Sequence, residues 1–288
     1  MWKTSALTKI KKDAIIDLKN GENRQMTVLV TGASGGIGYA VTQYFAENGV
    51  RVYACDIRER EFLNENIRFF KLDIANPDDV QKASERLRDQ GVTLDAIVNI
   101  AGIFTIDSFI EIPIDTLQKI VDINFLGAVY VNKYFHSLLK KGGRILVTTS
   151  EVAPLQPMPF NSIYNATKTA LESYTQGLRQ ELNLLGQKVI TIRPGAFNTE
   201  LAQGSLVKTK ELTDKTVLYK GQSKKFYSLV KMFMGKPMAP EKIAPTYYRA
   251  LTAKRPKLVY KKHLNPLLLL MNILPKRLQC FAVKMLIK

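Results

Sequence analysis

The chain has 288 residues, 46% of them hydrophobic, and a formal net charge of +17; such apolar content suits one substantial core in a single α/β domain with appendages. Two cysteines argue against a disulfide framework, and two histidines far apart in sequence, with no Cys or carboxylate cluster around them, argue against a metal site. No leading basic-then-apolar segment ends at a small-residue cleavage site, so the chain reads as cytoplasmic with its thiols reduced.

Residues 1–25 are an N-terminal extension in which Trp2, Leu7 and Ile10 lie among lysines, a pattern for a surface helix. The run Met26-Thr-Val-Leu-Val30 then predicts a strand, and Tyr39 to Asn48 has helical spacing. Between them, Thr31-Gly32-Ala33-Ser34-Gly35-Gly36-Ile37-Gly38 is a strand-to-helix turn of the kind that binds phosphate. Gly32, Gly36 and Gly38 let the backbone turn tightly and approach a pyrophosphate, whose charge meets the N–H groups and positive end of the following helix. Apolar runs at 26–31, 51–56, 67–72, 94–99, 143–149 and 187–193 alternate with helical stretches. That alternation predicts a doubly wound parallel sheet of Rossmann type, covered on both faces, in one domain over 26–260. At the end of the second run Asp56 offers a carboxylate to an unphosphorylated adenosine ribose and repels a 2′-phosphate. This favours NAD without excluding NADP, since Arg58 lies two residues on.

Further along stand Ser150 and Tyr164-Asn-Ala-Thr-Lys168. A second Tyr-x-x-x-Lys pair, Tyr227 and Lys231, has no Ser thirteen or fourteen residues upstream and is set aside. A phenol with a pKa near 10 is a poor base at neutral pH. Lys168, one helical turn along on the same face, should with a positive nicotinamide favour the phenolate. Tyr164 would then accept a proton in oxidation and donate it in reduction, while Ser150 hydrogen-bonds the substrate oxygen.

In this set the chain resembles the short-chain dehydrogenase/reductase family, from Met26 to about Tyr260. The resemblance implies an NAD(P)-linked oxidoreductase with Ser150, Tyr164, Lys168 and Asn124 as catalytic residues, Lys168 also holding the nicotinamide ribose and Asn124 supporting a water. It implies a cofactor site of Gly32, Ser34, Gly36, Ile37, Gly38, Asp56, Asp73, Ile74, Asn99, Ala101, Gly102, Tyr164, Lys168, Pro194, Gly195 and Thr199. A helix-capping role for Asp73 competes with its adenine contact, and helix capping or kinking competes for Asn124. Ile100 stands where the family often has Asn, and the Ser150-to-Tyr164 interval is one residue longer than usual. The longer interval leaves open whether Ser150 or Thr149 faces the substrate, with a bulge in Pro154 to Pro159 as one way to absorb it.

The charge is uneven. Residues 1–204 carry 23 basic and 22 acidic side chains, whereas 205–288 carry 19 basic and 3 acidic, with no Asp or Glu from Lys242 onward. In the last segment Leu278, Phe281, Ala282, Met285 and Leu286 follow the spacing of one helical face. The stretch from Leu264 to Leu274 is interrupted by Pro266 and falls well short of the roughly 20 residues needed to span hydrocarbon. Residues 261–288 therefore read as a basic amphipathic tail, with 264–288 lying peripherally on the inner face of a membrane. The competing readings are a solvated charged face, a cover over the substrate cleft, or the seal of a homo-oligomer. Nucleic acid is disfavoured, because aromatics do not alternate with the basic residues.

Segments that line the cleft in the family correspond to Ile103–Ile106, Glu151–Phe160 and Phe197–Met238. They supply Phe104, Leu155, Met158, Phe160, Phe197, Leu206, Leu218, Tyr219, Phe226, Met232, Phe233 and Met234. Such a lining predicts a small lipophilic substrate such as a sterol, retinoid or other lipid, unless these side chains simply pack a lid. The alternative function is a non-catalytic dinucleotide-sensing or membrane-associated protein on the same fold, which would have little need of Ser150, Tyr164 and Lys168 together.

Overall fold

The computed structural model describes residues 25–155, 158–233 and 237–288; the surface helix expected before residue 25 lies outside them. Seven strands form one sheet in the order β3-β2-β1-β4-β5-β6-β7. They are β1 (Thr27–Thr31), β2 (Arg51–Asp56), β3 (Ile67–Lys71), β4 (Leu94–Asn99), β5 (Leu139–Thr148), β6 (Lys188–Pro194) and β7 (Val259–Lys262), and every pairing is parallel. Helices α1 (Gly36–Glu47), α2 (Pro77–Asp89), α3 (Ile114–Val121), α4 (Gly127–Phe135) and α5 (Ser162–Leu184) make the early crossovers. They are followed by α6 (Glu200–Lys215), α7 (Lys220–Phe233), α8 (Ala244–Thr252), α9 (Pro266–Ile273) and α10 (Lys276–Ile287).

A parallel sheet buried on both faces needs apolar side chains at successive positions, and β1 supplies them. Val28 and Val30 join one core with Phe45 of α1 and Tyr247 and Leu251 of α8. Leu29, one residue out of phase, points into the opposite core with Leu87 of α2, Val131 and Phe135 of α4, and Leu171 of α5. The expected doubly wound sheet is therefore what the chain forms.

Two strands differ from the expected runs. β5 starts at Leu139, four residues early, because Leu139 pairs with Leu94 and Lys140 reaches Asp95 at 2.7 Å across a register shift. β7 pairs with β6 from Thr191 to Pro194 and runs past the expected 260/261 boundary, so the root of the C-terminal tail is a sheet edge.

Candidate active site

The strand order reverses between β1 and β4, and at such a switch point the carboxyl ends of the strands open on a crevice. The glycine turn lies there. Gly32 has φ +69° and a Cβ on it would lie 2.6 Å from the Ala101 backbone, so glycine is what lets the exit of β1 pass the 100–102 loop. That loop is held in turn by Thr31 Oγ1, which accepts the Ile100 and Ala101 N–H groups at 3.2 and 3.4 Å. α1 begins at Gly36 with no side-chain cap and no acidic residue in its first turn, and the first N–H groups of a helix have no partner within it. Gly36, Ile37 and Gly38 thus suit an anionic pyrophosphate.

On the adenosine side, Asp56 accepts the Ser34 N–H at 3.1 Å and the Arg58 N–H at 3.0 Å, one on each carboxylate oxygen. Each oxygen keeps capacity for a ribose hydroxyl. The Ser34 hydroxyl donates to the Arg58 carbonyl at 2.7 Å. Arg58 spans the crevice mouth to Glu200 at 2.7 Å, and that hydrogen-bonded pairing raises the guanidinium and lowers the carboxyl. Arg60 was not anticipated: it stacks 3.4 Å over the Tyr39 ring and donates to the Ser34 carbonyl at 3.0 Å. Its signal in the sequence was its place two residues beyond Arg58. Thr199 closes over the turn so tightly that a Cβ on Gly36 would lie 2.6 Å from its Cγ2.

Four of the expected cofactor residues also have structural roles. Asp73 Oδ1 accepts the Ala75 N–H at 2.9 Å in the turn before α2, and the helix cap itself is Asn76, three residues on. The Ile74 side chain is buried against Gly127. Asn99 turns inward, donating to Asn132 at 2.8 Å, while its Oδ1 has no partner among the described residues. Pro194 ends β6 as a buried residue. For these last three, only the backbone remains for a dinucleotide.

Across the crevice from Asp56 lie the expected catalytic residues Ser150, Tyr164, Lys168 and Asn124. Thr149 is occupied with β6, its N–H and hydroxyl both reaching the Ile192 carbonyl at 2.9 and 3.4 Å. The Ser150 side chain, by contrast, is near enough to the Tyr164 phenol to lower its pKa, so Ser150 is the one that faces the site. The loop between them turns at Met158–Asn161, where Phe160 adopts φ 62°, a left-handed conformation uncommon outside glycine; residues 156 and 157, in the proline-rich stretch, lie outside the described residues. Asn124 sits on a π-helical turn, Asp122–Leu126, between α3 and α4, an irregularity frequent at functional sites. Its amide clamps Ile103, accepting the N–H at 2.7 Å and donating to the carbonyl at 2.9 Å, and reaches Thr167 at 3.3 Å. A Cβ on Gly102 would meet Asn124 Oδ1 at 3.2 Å and Lys168 Nζ at 3.3 Å, which brings both groups to one point beside the loop.

Lys168 is not among the influences on the Tyr164 hydroxyl in this arrangement. Its ammonium lies 5.9 Å from the Tyr164 ring centre and donates to the Thr148 carbonyl at 3.3 Å. Tyr164 keeps part of its surface accessible, yet burial is the largest influence on its hydroxyl and pushes it up to about 12; the Ser150 side chain opposes this and the Glu151 carboxylate adds to it. Burial brings Lys168 down to about 8. Both groups therefore keep their protons at neutral pH.

The lid over the site is α6 and α7, latched to the loop after β4. Lys208 donates to the Phe104 carbonyl, and Lys215 pairs with the buried Asp107 at 2.5 Å. Glu111 accepts from the Thr216 hydroxyl and from the Val217 and Leu218 N–H groups. Among the expected lining residues, Phe104 meets Tyr164 edge to face at 4.9 Å, and Phe160 packs against Tyr219 and Phe226. Leu155, Met158 and Leu206 are half-buried. Phe197 instead belongs to the core under α1 and α8, and Leu218 and Met232 face solvent. Met234 and the Phe233 side chain lie outside the described residues.

Glu151, in one of the expected lining segments, and the chain after β7 meet at this site through a contact the sequence did not specify. The Glu151 carboxylate accepts the Asn265 N–H at 2.5 Å. A Cβ on Gly195 would fall 1.8 Å from the His263 carbonyl oxygen, so the tail root lies directly on the loop after β6. Burial raises the Glu151 carboxyl, against the opposing influence of the Asn265 N–H and His263.

Residues 26–210 match the family model for short chain dehydrogenase. Mouse estradiol 17-beta-dehydrogenase 2 is 35% identical over 190 residues, 62% of this chain and 49% of that protein. The NADPH-dependent 1-acyldihydroxyacetone phosphate reductase of Saccharomyces cerevisiae is 33% identical over 183 residues, 60% of this chain and 62% of that one. The match thus spans about half the length of the first relative and under two thirds of the second. A solved short chain dehydrogenase family protein from Francisella tularensis superposes with a TM-score of 0.70 at 26% identity, over 83% of this chain and 97% of its own.

Proposed function

The chain belongs to the short chain dehydrogenase family, and from that premise we propose that it is an NAD(P)-dependent oxidoreductase interconverting a secondary alcohol and a ketone on a lipophilic substrate. The observation that carries the reading is the convergence of Tyr164 and the Ser150 side chain that acts on its phenol with the buried Lys168 and Asn124 beside the 102–103 loop. The N-terminus of α1 would hold the pyrophosphate of a nicotinamide dinucleotide, Asp56 its adenosine ribose and Lys168 its nicotinamide ribose, and the cofactor would supply or accept the hydride. Tyr164 gives its proton to the carbonyl oxygen in reduction and takes it back in oxidation. Ser150 donates a hydrogen bond to the same oxygen and stabilises the charge that develops there. Lys168 lends positive charge to the pocket, and Asn124 holds the 103 loop against α5.

Asp56 supports NAD as the preferred cofactor. Two relatives support a lipophilic substrate: one is named for estradiol, the other for an acylated ketone phosphate. The aromatic cluster around Phe104, Phe160, Tyr219 and Phe226 is of matching character. The test is a screen of hydroxysteroids, retinoids, acylated ketone phosphates and medium-chain alcohols by nicotinamide absorbance at 340 nm. Turnover is expected with at least one lipophilic ketone or alcohol. Cofactor binding without turnover of any of them would favour a dinucleotide-sensing protein.

A further inference from the structure

The last two helices, α9 and α10, lie beyond the residues that match the family model. Neither is long and apolar enough to cross a membrane, as holds for every helix among the described residues. α10 nevertheless carries two opposed apolar surfaces. Ile287 turns inward and packs with Ile106, Phe160, Leu212 and Phe226 of the lid cluster. Leu278, Phe281, Met285 and Leu286 stay 48%, 60%, 66% and 49% exposed. Leu278 and Ile287 are about two and a half turns apart and so point to opposite sides of the helix. The exposed stripe therefore faces away from the body of the protein. Arg277, Lys284 and Lys288 recur along one edge of it at the same helical spacing. Immediately before it, α9 exposes Leu270 and Ile273.

A pocket of about 520 Å³ opens between α10, the start of α7 and the loop after β4. Phe109, Ile110, Phe160, Tyr219, Ile287 and Lys284 are among its walls, and no carboxylate side chain lines it. Its inner wall is separated from Tyr164 by two packed aromatic side chains. Phe160 belongs to the same apolar cluster as Phe104, and Phe104 touches the Tyr164 ring. Phe109 and Ile110, half and three-quarters exposed, extend the apolar rim outward.

We propose that the exposed face of α9 and α10 docks on an anionic lipid bilayer, and that the pocket beside α10 is the portal through which a lipid-dissolved substrate reaches Tyr164. The bilayer is the occupant that the charge selects: from Lys242 onward the chain has no acidic side chain. A cationic edge beside an apolar stripe matches a surface of acyl chains under anionic headgroups. The portal rests on the lipophilic substrate proposed above; the docking does not.

The experiment is flotation of the full chain with phosphatidylglycerol or phosphatidylcholine vesicles, beside the variant Leu278→Ser/Phe281→Ser/Met285→Ser, whose changes are all at exposed positions. The wild type is expected to float with phosphatidylglycerol far more than with phosphatidylcholine and to be partly released by about 0.5 M salt, where screening falls to a few ångströms. The variant should lose about tenfold or more of its bound fraction, keep its turnover of a small water-soluble ketone, and lose turnover of a ketone embedded in the vesicles. Equal flotation of the variant, or equal binding to both lipids, overturns the docking. So does flotation by neither protein together with a shift from dimer to monomer in the variant, which would make the stripe a contact between copies. If the variant floats poorly yet turns over the embedded ketone at the wild-type rate, the portal is overturned. Absence of turnover on every ketone, with flotation as expected, counts against the proposed catalytic function and leaves the docking standing.

Discussion

The Lys168 ammonium sits 5.9 Å from the centre of the Tyr164 ring and hydrogen-bonds the Thr148 carbonyl, so the two groups share an enclosed space without touching. Burial acts on them in opposite senses, holding Tyr164 protonated up to about 12 and releasing the Lys168 proton at about 8.

If Tyr164 is the proton donor, Tyr164→Phe removes the exchanging hydroxyl and leaves the ring that packs on Phe104. Turnover should fall by at least about 10²-fold, the usual scale for a lost general acid. Cofactor affinity, followed by nicotinamide fluorescence, should change by less than about threefold. A variant retaining more than about a tenth of wild-type kcat would remove Tyr164 from the chemistry.

Lys168→Met should raise stability while abolishing turnover. The lysine falls from its ordinary 10.5 to about 8 because the folded protein buries its charge. Below pH 8 that burial costs on the order of 3 kcal/mol, and the cost fades between pH 8 and 10.5 as the unfolded lysine also loses its proton. The lost hydrogen bond to Thr148 offsets part of the gain, about 1 kcal/mol. The variant should therefore melt above the wild type at pH 7, with the difference vanishing near pH 10.5; a lower Tm at pH 7 would contradict it.

Cofactor preference turns on Asp56 and the Arg58–Glu200 pair. The wild type should prefer NAD over NADP by at least about tenfold in kcat/KM, roughly 1.4 kcal/mol. Asp56→Ala should narrow the gap by removing repulsion of a 2′-phosphate, and Glu200→Ala should narrow it by releasing Arg58 toward that phosphate. Because the Arg58 and Glu200 side chains are 57% and 74% exposed, Glu200→Ala should leave Tm nearly unchanged. An unaltered cofactor ratio in both variants would locate the preference elsewhere.

The sheet was legible because a parallel strand buried on both faces needs an unbroken apolar run, and β1, β2, β4 and β6 have one. β7 was not, since Val259-Tyr-Lys-Lys262 buries only Tyr260 and otherwise reads as a charged loop. The glycine turn and the Tyr164 and Lys168 pair were read from spacing, whereas spacing left Ser150 and Thr149 as alternatives. Local spacing carries no information on contacts such as Glu151 with Asn265 or Arg58 with Glu200, which join residues more than a hundred positions apart. Nor does it register burial, which is the largest influence on both Tyr164 and Lys168.

Glu151 offers a last test, since its carboxylate bears on both the tail and Tyr164. It holds the Asn265 N–H at 2.5 Å, and its charge is among the influences that raise the Tyr164 phenol. Glu151→Gln keeps an oxygen that accepts the Asn265 N–H but removes the charge, whereas Glu151→Ala removes both. A negative charge nearby disfavours phenolate, so neutralising it lets the Tyr164 proton leave at lower pH. In the oxidative direction, where the unprotonated form is the base, the rising limb of kcat against pH should move to lower pH in both variants. Only Glu151→Ala should also free the tail root, seen as faster hydrogen exchange of the Asn265 amide. If the pH limb stays in place in Glu151→Gln, the carboxylate has no electrostatic influence on Tyr164. Unchanged exchange in Glu151→Ala would mean that the packing of His263 on Gly195 holds the tail root without it.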